Sequence, residues 1–360
     1  MLATQTRFPG FLPVSFAIAL LIFLSDTAFG QILPAPDYDS TYYKKYPDQI
    51  TGRAYLSKKY TSMSLEGKDR LKPMRYRPNT PVTMGVGATY GIVTLNAGFP
   101  IPFLSRDSKE TGRSKYLDLQ SHIYATKWVI DLYGQFYKGY HATPKGAGSL
   151  RPDSFYVRPD IRVNLIGASV YRLFNGERFS YRAAFLQNEW QKKSAGSLLL
   201  GGEAYTGTIK GDSALIPNHL DSMYRQYDID RVRFTEFGPG IGYAYTYVHN
   251  ENYFVTGSLT ATGDLSFVRE FKGKSSETRT SISPNLMIRI VAGYNSDNWM
   301  FNLAWINSST NLKGRSSNDQ YLISIGSFRL AVAKRITPGK KLKKQLKVID
   351  DLQAPAESKK

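Results

Sequence analysis

The chain has 360 residues, 42% of them hydrophobic and 21% charged, which excludes a disordered chain and leaves room for one large domain or two ordinary ones. Its 25 Tyr and 19 Phe against 4 Trp, with 30 Gly, favour strands and tight turns over helices. The absence of Cys excludes disulfides, thiolate metal sites, a cysteine nucleophile and a lipoprotein anchor, while the formal charge of +18 is scattered without a basic helix, which argues against nucleic acid.

Residues 1–30 open with Arg7, continue as the apolar run "FLPVSFAIALLIFLS" and end in "AFG", with Ala28 and Gly30 at the small-residue positions of a leader-peptidase site. They read as a cleaved secretory signal. The apolar run is shorter than a membrane span and no basic stop-transfer flank follows it. Residues 31–54, rich in Pro, Asp and Tyr, have neither helical nor strand periodicity and read as an extended lead-in.

From about residue 55 to 337 two-residue alternation dominates. In "SISPNLMIRIVAGY" the even positions Ile282, Leu286, Ile288, Ile290 and Ala292 form one apolar face, and Ser281, Ser283, Asn285 and Arg289 form the other. "WMFNLAWIN" follows the turn at 295–298 and puts Trp299, Phe301, Leu303 and Trp305 on one side. "YLDLQSHIYAT" opposes Leu117, Leu119 and Ile123 to Asp118, Gln120 and His122; "WVIDLYGQF" opposes Trp128, Ile130 and Leu132 to Asp131 and Gln135. Further strands read at 82–90, 92–99, 161–174, 179–190, 197–208, 234–248, 253–265 and 321–336, with a weaker one at 55–65.

Many of these strands are longer than the 5 or 6 residues usual in soluble sheets and reach the roughly 9 to 11 that a membrane-crossing strand needs. Their polar faces carry Asn, Gln, Thr, Ser and Tyr rather than the Lys and Glu of a face open to bulk water, and Trp128, Tyr140, Trp190, Tyr253, Tyr294 and Trp299 stand near strand ends as an aromatic girdle would. The expected fold is all-β, an antiparallel transmembrane β-barrel in the outer membrane of a Gram-negative cell. It begins with a short periplasmic N-terminal lead-in and ends in a basic C-terminal tail at 338–360. Short links are expected at Tyr90-Gly91, Lys127, 175–178, 249–252 and 295–298, and long loops near 66–79, 100–114, 141–157, 209–232, 266–280 and 309–320. The candidates number thirteen, whereas a chain that enters and leaves on the periplasmic side needs an even count. About 12 strands are expected, with 14 as the alternative, and the path through 191–232 is the open question. In the tail, Leu342, Leu346 and Ile349 lie at helical spacing among five lysines, either as a solvated tail or as a basic amphipathic helix against a membrane or wall surface.

The stretches "RYRPNTPVTMGVGATYGIVTLNAGFP", "RPDIRVNLIGASVYRLFNGERFSYRAAFLQNEWQKKSAGSLLLGG" and "FGPGIGYAYTYV" resemble a Bacteroidota family of exported proteins known only as a domain of unknown function. Most specific are Gln187, Gln191, Lys192, Lys193, Ser194, Gly196 and Ser197, which the alternation places at a strand end and turn, with Phe179, Tyr181, Ala183 and Phe185 facing lipid before it. The resemblance implies an outer-membrane barrel and lends no reaction, substrate or catalytic residue.

Candidate chemistry is sparse. His122 and Ser121 are neighbours on a strand, so they face opposite sides and cannot form a dyad. No metal motif or phosphate-binding loop is present, and no cofactor is expected. Asp118, His122, Asp131, Arg162, Arg172, Arg182, Asp264, Arg289 and Arg329 fall on faces assigned to the lumen, because a charge facing lipid would cost roughly 2 to 4 kcal/mol at mid-depth. They form either an internal network that plugs the barrel or a lining for anionic solutes. The expected role is therefore non-enzymatic, as a narrow solute passage or a structural and surface-interaction component. Its expected partners are outer-membrane lipid and the barrel-assembly machinery; no specific protein partner is indicated. The alternative is a barrel hydrolase of lipid or peptide that uses His122, His141 or His219.

Overall fold

In the computed structural model the described residues are 38–353, apart from 69–70, 92, 105–107 and 315–319. The segment 1–30 that reads as a signal and the first part of the expected lead-in lie outside them. The strands are β1 (Tyr43–Lys45), β2 (Ile50–Leu65), β3 (Met74–Arg77), β4 (Val82–Tyr90), β5 (Val93–Ile101), β6 (Lys115–Tyr124), β7 (Trp128–Thr143), β8 (Val157–Leu173), β9 (Glu189–Gln191), β10 (Ala195–Lys210), β11 (Arg231–His249), β12 (Tyr253–Lys272), β13 (Ser275–Asn295), β14 (Trp299–Lys313) and β15 (Gln320–Ile336). Helices α1 (Ser108–Thr111), α2 (Tyr181–Phe185) and α3 (Lys340–Gln353) accompany them.

Ten strands close a barrel in the order β2-β15-β14-β13-β12-β11-β10-β8-β7-β3, and β3 returns to β2. The first and last strands zip along their length, from Ile336 opposite Ile50 to Tyr321 opposite Leu65. The weak 55–65 segment is thus the closing strand, and it starts inside the presumed lead-in. Both ends of the barrel chain lie at one rim, here the terminal end; the other rim is the loop end.

Three further strands of the same sheet, β4, β5 and β6, stay outside the closed ring, and β1 and β9 form a separate pair. β3 and β4 follow each other along β2, with β3 against 63–65 and β4 against 51–57. β7 divides its edge likewise, giving 141–143 to β3 and 129–138 to β6. β4 pairs onward with β5. The ring therefore closes through the short β3, a segment the alternation had left in a loop.

The odd strand count has a simple cause. The 179–190 segment is no transmembrane strand: it forms α2, a bend and the short β9, which pairs with β1. The other twelve expected strands are all present, but three of them are β4, β5 and β6, so nine of them together with the unexpected β3 make a closed ring of ten strands rather than twelve. Two links also differ from expectation. β12 and β13 run on through most of the presumed 266–280 loop to a turn at Gly273 (φ +57°), and 175–178 opens an inward excursion instead of a hairpin. The β11–β12 hairpin turns through Asn250 and Glu251, at φ 48° and 58°, the left-handed pair that matches strand twist in a tight hairpin.

Side chains fill the interior. Toward the loop end, Met63, Leu65, Met74, Tyr76, Tyr140, Val163 and Leu165 from the wall pack with Leu215, Ile216, Tyr224 and Ile229 of the 211–230 loop, which folds into the mouth; the Tyr76 hydroxyl donates to the Leu215 carbonyl at 2.6 Å. The wall's outside is apolar. Leu259, Ile282, Ile290, Phe301, Leu303 and Leu330 are each 43% or more exposed.

Candidate functional site: a plugged barrel interior

The 174–194 segment leaves β8 at the terminal end, enters the barrel and returns to β10. Ser180 caps α2 by accepting from the Ala183 amide at 3.0 Å. The helix buries Tyr181, Ala183 and Ala184, with Phe185 packed beside them, because spacing of three and four residues puts Tyr181, Ala184 and Phe185 on one face. That face shares 181 and 185 with the two-residue alternation, and Ala183 is buried as well, which is why the segment mimics a strand. Phe179, Tyr181, Ala183 and Phe185 therefore pack inside the barrel and do not face lipid.

Polar groups from five strands hold the segment. Arg53 on β2 donates to the Leu186 carbonyl at 2.8 Å, and Tyr181 meets Ser258 on β12 at 2.5 Å. Asn295 on β13 donates to the Glu189 carbonyl at 3.1 Å and Asn302 on β14 to Ala184 at 3.1 Å. Arg335 on β15 reaches the carbonyls of Gln187 at 3.3 Å and Glu189 at 3.0 Å. Such donors satisfy backbone carbonyls that would otherwise be buried unpaired at a cost of about 1 to 3 kcal/mol each.

The residues from Gln187 to Ser197 that carry the resemblance cross-brace this plug. Gln191, 4% exposed, accepts from the Ser180 amide at 2.9 Å and donates to the carbonyls of Arg178 at 2.7 Å, Lys193 at 3.0 Å and Tyr42 at 3.3 Å. Gln187 takes a positive φ of 59° to turn the chain. Ser194 accepts from the Val248 amide at 2.9 Å, Ser197 from the amides of Phe174 and Asn175 at 3.0 Å, and the Gly196 carbonyl from Asn175 at 2.8 Å. Lys192 lies over Trp190 and Lys193 over Tyr42, 4.9 Å and 5.6 Å from the ring centres. Trp190 is not an interfacial anchor: it is buried, and its indole N–H donates to the Glu251 carbonyl at 2.7 Å. Tyr140 also points inward rather than into a girdle. Gln187 to Ser197 is thus the base of a plug, not a tight return at the membrane surface.

Above the plug lie two polar groups of side chains. In the first, Asp131 and Arg289 are both fully buried and form an ion pair; His122 Nδ1 lies 2.6 Å from Asp131, and Ser169 donates to the other carboxylate oxygen at 3.2 Å. Asp118 on β6 takes Lys59 of β2 at 2.9 Å and the Tyr137 hydroxyl of β7, tying β6 and β7 to β2 where the short β3 does not reach. In the second, Glu203, Glu236 and Asp264 on three successive strands converge on one Asn285 amide, at 3.2, 2.9 and 2.8 Å. Arg329 points inward over Tyr55, 4.9 Å from the ring centre, and lines a cavity of about 60 Å3 with Arg53, His122 and Phe185.

Three of the arginines assigned to the lumen wall are elsewhere. Arg162 and Arg172 point outward and are exposed, because the inward face of β8 is the apolar one: Ile161, Val163 and Leu165 pack into the loop-end core and Tyr171 and Leu173 against the plug. Arg182 is inside the barrel mouth but on α2, 3.5 Å from Glu189 and donating to the Gly91 carbonyl.

The histidines named as candidate bases stand apart from the neighbouring serines among the described residues. Ser121 faces out of β6, and Ser169 donates to the Asp131 carboxylate rather than to the His122 ring. His141 stands edge-on to Phe155 at 5.2 Å, and His219 sits on a short 3-10 turn at Asn218–Leu220 in the loop. Among the described residues no group of His, Asp and Glu is arranged to hold a metal ion.

Fold and interior together define a plugged antiparallel β-barrel with an apolar outer wall. The chain belongs to the family described as Domain of unknown function (DUF4421), whose model matches residues 37–335. No curated protein matches it. Among solved structures it is similar to the outer-membrane protease OmpT from Escherichia coli, at 12% identity and a TM-score of 0.32 over 82% of this chain and 98% of that one. It is also similar to the toluene transporter TodX of Pseudomonas putida, at 9% identity and a TM-score of 0.26 over 81% and 90% of the two chains. A third is OmpT of Vibrio cholerae, at 9% identity and a TM-score of 0.27 over 81% and 100%.

Proposed function

We propose that the chain is an exported outer-membrane barrel without enzymatic activity, closed to solutes by its own plug and serving as a structural and surface-interaction component. The observation that carries this reading is the 174–194 segment, bonded inside the terminal mouth to β2, β12, β13, β14 and β15. With the loop-end core above it, the interior has the packing of a protein core rather than a pore.

A membrane location rests on the outer wall. An apolar belt around several strands far exceeds the few hundred Å2 that soluble monomers tolerate. On β8 the outward cations Arg162 and Arg172 bracket Asn164, Ile166, Ala168 and Val170. Ten residues at about 3.4 Å each, tilted about 40°, span about 26 Å, close to the roughly 25 Å apolar band of such barrels. The terminal end then faces the periplasm, where α3 continues from β15. Pairing of the antiparallel edges of β5 and β6 would complete a twelve-stranded wall on that side. Insertion would require the barrel-assembly machinery.

The test is recovery of the full chain from outer membranes, followed by planar-bilayer recording. No steady conductance is expected. Stepwise conductance of the unmodified protein would overturn the closed reading, and recovery in the soluble fraction would overturn the membrane one.

A further inference from the structure

A second cavity, of about 420 Å3, lies outside the barrel. On β2 the odd residues Thr61, Met63 and Leu65 are buried inward, so Lys58, Tyr60, Ser62 and Ser64 face out. On β3 the same rule turns Arg75 and Arg77 outward, both exposed, while Met74 and Tyr76 are buried. Outward residues of β14 and β15 complete the groove, among them Trp305 and Phe328, stacked at 6.1 Å. Tyr60 lies across Gly326, where a Cβ would meet its hydroxyl at 2.3 Å; this lets the hydroxyl reach Asn307 at 2.8 Å and accept from the Trp305 indole at 3.3 Å. The floor is therefore an ordered set of three rings, at 6.1 and 6.2 Å spacings.

Two features point to a ligand class. Arg75, Arg77 and Lys58, whose ammonium also donates to the Thr80 carbonyl, line the groove, and no Asp or Glu stands among its described lining residues. Depth supplies the second. Toward the terminal end the same outer faces turn apolar, through Leu56, Leu303 and Leu330 at 37, 58 and 51% exposure, while toward the loop end they carry Asn307 and Ser324. The groove straddles the edge of the apolar band, with Arg75 and Arg77 toward the loop end, Lys58 level with Phe328, and hydrocarbon below.

We infer that this groove binds the phosphorylated headgroup of an outer-leaflet glycolipid. The three cations take the phosphate, the Tyr60–Phe328–Trp305 floor takes the sugar face, and the acyl chains run down the apolar wall. Arginine suits this role because its planar fork meets phosphate oxygens in pairs, and aromatic faces suit the apolar side of a pyranose. A comparable set of guanidinium groups on β11 and β12, Arg231, Arg233 and Arg269 around Phe271 at 4.8, 5.4 and 5.1 Å, lies outside this groove and serves as a control.

The inference rests on the membrane reading above, and its test separates the two. The full chain is placed in phosphatidylethanolamine nanodiscs, heat-modifiable migration is checked, and binding of lipid A, dephosphorylated lipid A and inorganic phosphate is titrated. Lys58→Gln/Arg75→Gln/Arg77→Gln is expected to weaken lipid A binding about 100-fold, taking about fivefold per cation at a charged surface. Arg233→Gln/Arg269→Gln is expected to change it less than twofold. If the triple variant does not migrate as folded, Arg77→Gln alone is read for its fivefold loss, and Trp305→Ala for a severalfold loss with every cation retained. Unchanged lipid A binding in a folded variant, equal binding of the dephosphorylated lipid, or equal affinity for inorganic phosphate would each overturn the inference. Failure of the wild type to enter membranes would instead overturn the reading on which it rests.

Discussion

Replacing Gln191 by Ala tests whether 174–194 is a built plug. Its buried amide accepts from one amide and donates to carbonyls at 2.7, 3.0 and 3.3 Å, and no neighbouring side chain duplicates that set. Truncation leaves the Ser180 N–H and at least one carbonyl unpaired in a site closed by β1 and α2. At about 1 to 2 kcal/mol for each group lost, the docked state weakens by about 2 to 4 kcal/mol. The population of opened plug then rises between about 30-fold and about 1000-fold. Hydrogen exchange followed by mass spectrometry reads this directly, with peptides from β11 to β13 as the internal reference, since their ladders do not involve Gln191. Faster exchange confined to the plug, with β1 following because it pairs only with β9, is the expected result. Unchanged protection of 174–194 would refute the reasoning; equal acceleration in the strands would mean that Gln191 supports the whole barrel rather than the plug.

Asp131→Asn leaves the fully buried Arg289 without its countercharge and is expected to destabilise the folded barrel by about 3 to 5 kcal/mol, whereas Asp131→Leu with Arg289→Met is expected to recover most of that loss, both measured by denaturant unfolding in detergent. At the terminal rim, hydrogen bonds from Lys44 and Tyr46 lower the Asp297 carboxyl below its ordinary 3.8. A carboxyl depressed in the folded state stabilises above its unfolded value and loses that contribution as pH falls through the lowered one. Protease sensitivity of the 38–49 segment is therefore expected to rise on acidification below about pH 4, and Lys44→Ala is expected to flatten the profile.

Where the sequence was informative, the signal was local. Alternation along 234–248, 253–265 and 281–294 marks strands because a half-buried strand has a period of two whatever its neighbours are. Arg289 and Asp264 were legible as inward because Ile282 to Ile290 and the apolar partners of Asp264 define the opposite face. Arg162 and Arg172 were misread for the same reason. On β8 the apolar face is the inward one, and alternation says that two faces differ without saying which meets protein and which meets lipid. The short β3 carries too few residues to show a period, so the closing strand pair was invisible.

The sequence alone determined that the chain is β-structured, that its strands are long, and that charges lie on one side of most of them; these follow from steric and solvation rules acting over two to four residues. Only the tertiary structure decided that Tyr181 and Phe185 belong to a helix inside the barrel, that three strands of the barrel sheet stay outside the closed ring, and that Lys58, Arg75 and Arg77 meet at one groove. Each of these depends on residues tens to hundreds of positions apart being brought together by strand register, and register is a property of pairing that no single stretch of chain contains.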